Sequence, residues 1–216
     1  MKQYKCIIFD CDGVLVDSEV LGNQVLVDLA NEYGANINLT YALENFKGGF
    51  LKDCIRQIES IVGTTILPKD FESEYRKRSF EVFKNDLQPV SGVEEVLKGL
   101  NIPFCVASSG PPKKIRLNLK TTELLSYFDE NIFSCYDIGK WKPDPAIFLH
   151  AATTMGYTPK DCLVIEDTPI GVEAAKSGGF DVFGFSAHNT NENFKSKADK
   201  IFYSMDELLP MISGNR

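Results

Sequence analysis

Four short apolar bursts constrain this chain more than any other feature. They are Cys6-Ile7-Ile8-Phe9, Pro103-Phe104-Cys105-Val106-Ala107, Cys162-Leu163-Val164-Ile165 and Val182-Phe183-Gly184-Phe185. A weaker burst lies at Asn131-Ile132-Phe133. Their apolarity is continuous rather than alternating, which suits strands covered on both faces, as in a parallel sheet. Between them, apolar residues fall at helical spacing: Val93, Val96, Leu97 and Leu100; Ile147, Phe148, Ala151 and Met155; Ile170, Val172, Ala174 and Ala175. From about residue 90 to the end, strand and helix patterns alternate. That alternation predicts an α/β fold with a doubly wound parallel sheet.

Residues 16–87 read differently. Val20, Leu21, Val25, Leu26 and Leu29, then Leu51, Ile55 and Ile58, then Phe71, Tyr75 and Phe80 give helical repeats with no clear strand between them. Breaks fall at Gly34, at Gly48-Gly49 and between Gly63 and Pro68. The expected organisation is an α/β core of residues 1–15 and 88–216, with a helical cap of residues 16–87 inserted after the first strand.

The chain has 216 residues, a net charge of −7 and no apolar run long enough for a membrane span. The acidic balance argues against nucleic acid as a partner. The N-terminus lacks the pattern of a secretory signal. The six cysteines are scattered without a C-x-x-C pair, which speaks against a disulfide framework or a zinc site. A cytoplasmic monomer is the expectation.

Ligands of an open parallel sheet bind beyond the carboxyl ends of its strands, so the residues after each burst matter most. Asp10-Cys11-Asp12-Gly13-Val14 follows the first, Ser108-Ser109-Gly110 the second, and Glu166-Asp167 follows Cys162–Ile165. Lys140-Trp141-Lys142-Pro143-Asp144-Pro145 precedes a later helix. Taken alone, Asp12-Gly13 is a polar turn, Ser109 a helix cap and Lys142 a solvated charge. Taken together, they bring carboxylates, hydroxyls and a lysine to one sheet edge. Carboxylates so close would repel without a cation between them. An oxygen-rich set with few protein ligands suits Mg²⁺. The turn after Ser108, leading to a helix near Pro112, suits an anion.

In this combination and order, the four motifs resemble the haloacid dehalogenase superfamily of phosphatases, and the helical insert resembles the cap of its β-phosphoglucomutase-like branch. The resemblance implies a Rossmann-like core and an enzyme that hydrolyses a small phosphorylated metabolite. It implies Asp10 as nucleophile, forming an aspartyl-phosphate, and Asp12 as acid and base. Asp10, Asp167 and the Asp12 backbone carbonyl would hold Mg²⁺, with Glu166 as ligand or support. Ser108, Ser109, Lys142 and nearby backbone amides would hold the phosphoryl oxygens. Phe133-Ser134-Cys135-Tyr136-Asp137-Ile138, Trp141 to Pro145, and Lys47-Gly48 resemble the bacterial 6-phosphogluconate phosphatases within that branch. Lys47 and Lys52 flank Gly48-Gly49 and are the cap cations expected to meet an acidic substrate, ahead of Arg76 and Lys77. Trp141 is either a loop anchor or a pocket wall.

The sequence departs from the phosphoglucomutases. Gly22 stands where the resemblance expects a cap histidine, and Leu51 where it expects a phosphate-clamping arginine. His150 and His188 lie elsewhere and read as ordinary residues. The departures favour hydrolysis over a mutase. Asp12 with Glu166-Asp167 disfavours a dehalogenase, and the cap disfavours a receiver that retains phosphate.

Overall fold

The computed structural model describes residues 2–46, 50–63, 66–187 and 197–213. Its contacts divide the chain into two compact units, residues 1–16 with 88–216 and residues 17–87. Val16 belongs to the first unit, one residue beyond the boundary read from the sequence. It bridges to Asp12 and Pro89, while Val90 N–H donates to the Leu15 carbonyl.

The first unit is built on a six-stranded sheet: β1 (Cys6–Phe9), β2 (Phe104–Ser108), β3 (Ile132–Ser134), β4 (Cys162–Glu166), β5 (Asp181–Phe185) and β6 (Lys200–Phe202). The order is β3-β2-β1-β4-β5-β6, and every neighbouring pair is parallel. β6 extends the sheet past the bursts read from the sequence. It is a three-residue edge strand whose Lys200 is exposed, so its apolar signal is short. The central strands are buried along their length because helices cover both faces. One cluster packs Ile8, Ala107 and Val164 of the sheet against Ile147, Phe148 and Ala151 of the helix Ala146–Thr154 and Val172 and Ala175 of the helix Pro169–Ser177.

The second unit consists of helices α1 (Glu19–Glu32), α2 (Leu39–Asn45), α3 (Leu51–Val62) and α4 (Phe71–Asp86). They close around Leu26, Leu29, Ala30, Ala42, Phe46, Ile58 and Phe71. Asn38 caps α2 by accepting from Tyr41 N–H at 2.8 Å. Among the described residues, no helix is long and apolar enough to cross a membrane.

Candidate active site

Strand order reverses between β1 and β4, which makes their carboxyl ends the crevice of a doubly wound sheet. Asp10 follows β1, and its N–H donates to Ile165 in β4 at 2.9 Å. Glu166 ends β4, Asp167 follows it, and Ser108 ends β2 on the other side of β1. Three adjacent strands therefore deliver Asp10, Ser108 and Glu166-Asp167 to one edge.

Ligand oxygens of Asp10, Glu166 and Asp167 lie within 4.8 Å of one another, and all three residues are buried. Lys142 joins them from the loop before Ala146, donating to Asp10 Oδ1 at 2.6 Å and to Glu166 Oε1 at 2.7 Å. Its side chain is 3% exposed and its ammonium lies 4.8 Å from the centre of the Phe148 ring. One lysine cannot neutralise three carboxylates packed this closely. An all-oxygen set with that excess negative charge fits a hard divalent cation.

The charges respond to this crowding. Burial pushes the Asp10 carboxyl up to about 7, with Glu166 adding to the effect and Lys142 opposing it. Burial also works against the Lys142 charge, but Asp10 and Glu166 reverse that and hold the ammonium above the ordinary lysine range. Burial, with Asp12 and Asp10 beside it, raises the Cys11 thiol well above its ordinary range. That thiol is therefore no thiolate nucleophile.

Local backbone chemistry fixes these groups. Glu166 Oε2 accepts from Thr168 N–H at 2.7 Å and from Thr168 Oγ1 at 2.9 Å. Thr168 Oγ1 in turn accepts from Gly171 N–H at 3.1 Å and caps the helix Pro169–Ser177. Gly13 has φ +83°, and a Cβ there would come within 2.3 Å of Asp167 Oδ2. The turn after β1 thus admits no other residue without displacing Asp167.

Ser108 is buried and its Oγ accepts from Gly110 N–H at 3.0 Å, while Ser109 Oγ lies 3.8 Å from Cys135 Sγ. Ser134, at the end of β3, donates to the Gly110 carbonyl at 2.7 Å and ties down the same turn. The turn leads into α6 (Pro112–Thr121), the helix after α5 (Val93–Gly99), and its start matches the sequence reading.

The Asp12 carboxylate is held from α6. Lys114 Nζ donates to both of its oxygens at 2.6 Å, and Asn118 Nδ2 donates to Oδ1 at 3.2 Å. Sequence reasoning missed both residues. Their spacing on α6 was the available signal, but nothing local links them to a residue in the turn after β1.

The remaining candidates sit as follows. Trp141 packs against the core and meets Tyr136 edge-on at 5.3 Å. Lys52 is exposed in the first turn of α3, Arg76 pairs with Glu72 at 2.7 Å, and Lys77 is exposed. Lys47, Gly48, Gly49 and His188 lie outside the described residues. His150 is exposed and packs edge-on against Phe133 at 5.5 Å. All six cysteines are free and buried.

Comparison with known proteins shows the family. The family model of haloacid dehalogenase-like hydrolases matches residues 4–179. The 6-phosphogluconate phosphatase of Escherichia coli strain K12 is 33% identical over 192 residues, covering 89% of this chain and 87% of its own. A phosphorylated carbohydrates phosphatase of Thermotoga maritima is 30% identical over 203 residues, covering 87% and 88% respectively. A haloacid dehalogenase family hydrolase of Deinococcus radiodurans, solved with bound phosphate and sodium, superposes with a TM-score of 0.82 at 25% identity, covering 99% of this chain and 96% of that one. The chain belongs to the haloacid dehalogenase-like hydrolases. Its phosphatase-named relatives put it among the phosphatases of that family.

Proposed function

We propose that the protein is a Mg²⁺-dependent phosphomonoester hydrolase acting on a small phosphorylated sugar or sugar acid through an aspartyl-phosphate at Asp10. One observation carries the reading: a buried Asp10 carboxylate is clustered with Glu166 and Asp167 and paired to Lys142 at 2.6 Å. A nucleophile, a cation site and a positive group for phosphoryl oxygens thus share one sheet edge.

In the first half-reaction an Asp10 oxygen bonds to phosphorus and the ester P–O bond breaks. The leaving oxygen takes a proton from Asp12. In the second, water attacks phosphorus, gives a proton to Asp12 and releases inorganic phosphate, which restores the Asp10 carboxylate. Lys142, Ser108, Ser109 and the backbone amides of their turn hold the phosphoryl oxygens. Asp10, Asp167 and the Asp12 carbonyl would hold Mg²⁺, with Glu166 as ligand or support. Bound there, the ion supplies charge neutralisation for phosphoryl transfer.

The narrower substrate we propose is 6-phosphogluconate, on the strength of the Escherichia coli relative. Lys47 and Lys52 are the cap cations we assign to its carboxylate. A phosphoglucomutase is disfavoured by Gly22, which is buried on α1 with Phe83 and Tyr75 3.4 Å from where its Cβ would lie. Gly22 carries no side chain to play the part of the cap histidine.

The test is phosphate release with Mg²⁺ across phosphorylated sugars and sugar acids, 6-phosphogluconate included. Strong preference for 6-phosphogluconate supports the narrow reading, and broad release supports only the hydrolase. Interconversion of β-glucose 1-phosphate and glucose 6-phosphate without net release would replace the hydrolase with the mutase.

A further inference from the structure

We infer that Lys114 is the positioning residue of the acid–base step, holding the Asp12 carboxylate in place from α6. The inference rests on the hydrolase reading above. Lys114 Nζ spans both Asp12 oxygens at 2.6 Å, and Asn118 adds a third contact at 3.2 Å. Lys114 and Asn118 are four positions apart, so α6 presents both on one face. The Asp12–Lys114 pair is partly exposed, with side chains 22% and 20% accessible, so its worth as an ion pair alone is small. Its consequence is orientation.

Asp10, Glu166 and Asp167 turn their oxygens toward one another, whereas the Asp12 carboxylate is drawn toward α6. Two rotatable bonds carry that carboxylate, and contacts from one rigid helix reduce them to a single orientation. A group that delivers a proton to the leaving oxygen, then takes one from water, must be held within a fraction of an ångström. The Lys114 ammonium also balances the carboxylate that proton donation leaves behind. Asn118 points the same way. It is fully buried, and its Oδ1 has no hydrogen-bond partner among the described residues. A buried carbonyl in that state costs stability, so packing alone does not account for an amide there.

The test compares an alkyl ester, 6-phosphogluconate, with p-nitrophenyl phosphate, whose leaving group needs no proton. Parent, K114M, K114R, D12N and D12N/K114M are assayed with Mg²⁺. K114M is expected to lower kcat on the alkyl ester about 100-fold, with KM changing less than about threefold, and to lower the rate of the first-turnover p-nitrophenol burst, which needs no proton from Asp12, far less. K114R recovers part of the loss. In the D12N background, K114M adds nothing, because its effect passes through Asp12. Parent-like kcat in K114M, or a full additional loss in D12N/K114M, overturns the inference while leaving the hydrolase standing. A parent that releases phosphate from neither ester, or an Asp10→Asn variant that keeps turnover, defeats the hydrolase reading and the inference with it. Should K114M fail to fold, K114Q carries the same cycle.

Discussion

Gly171 stands where a side chain would collide with Glu166: a Cβ there would lie 1.7 Å from Glu166 Oε1. The first turn of the helix Pro169–Ser177 is therefore packed directly against the carboxylate that orients Lys142. Gly171→Ala should force Glu166 out of place and cut kcat/KM about 100-fold, with the protein still folded. Steady-state kinetics beside a circular dichroism melt checks this, and an alanine variant with parent-like kinetics would remove Glu166 from the positioning of Lys142.

Gly13 makes the same argument at the other end of the cluster. Its φ of +83° and the 2.3 Å approach of Asp167 Oδ2 leave no room for a Cβ. Gly13→Ala should weaken Mg²⁺ binding more than it weakens fold stability, which titration of the ion by calorimetry would read directly.

Asp10→Asn should abolish turnover, because an amide does not form the phosphoryl-enzyme. Incubating the parent with substrate and quenching in acid should trap a labelled aspartyl-phosphate that the variant lacks. EDTA should silence the parent and Mg²⁺ restore it.

The raised carboxyl of Asp10 predicts a pH signature. An unfolded chain loses that proton near 3.8, while the folded, metal-free protein keeps it to about 7. Between those values the folded state binds more protons, so this group lowers stability as pH rises through the window and adds no further change above it. Mg²⁺ needs the carboxylate and competes with the proton. Its affinity should climb up to about pH 7 and flatten beyond. Melting temperatures measured at pH 5, 6, 7 and 8, with and without Mg²⁺, would show a widening gap; a gap independent of pH would sink the assignment.

Removing the buried cation should cost more than removing a surface one. Lys142→Met leaves Asp10 and Glu166 facing each other unpaired, a loss of about 3–5 kcal/mol for a broken buried pair. Denaturant unfolding should show that loss, partly recovered in saturating Mg²⁺.

Much of this site was legible before folding because each motif is local. Asp10 to Gly13, Ser108 to Gly110, and Glu166-Asp167 each follow an apolar burst, and continuous apolarity marks a strand covered on both faces. Parallel strands align their carboxyl ends, so the convergence of these motifs follows from the fold class. β6 escaped because an edge strand of three residues buries too little to leave a pattern.

The sequence by itself determined the strand–helix alternation, the inserted helical block and the acidic and hydroxyl groups at the sheet edge, all of which depend on periodicity and near neighbours. Tertiary structure alone decided that Lys142 bridges Asp10 and Glu166, 132 and 24 residues away. It also decided that Lys114 reaches Asp12 across 102 residues, and that Gly171 makes room for Glu166. Such pairings are set by where strand ends and helix faces meet in space, and no local pattern encodes that distance.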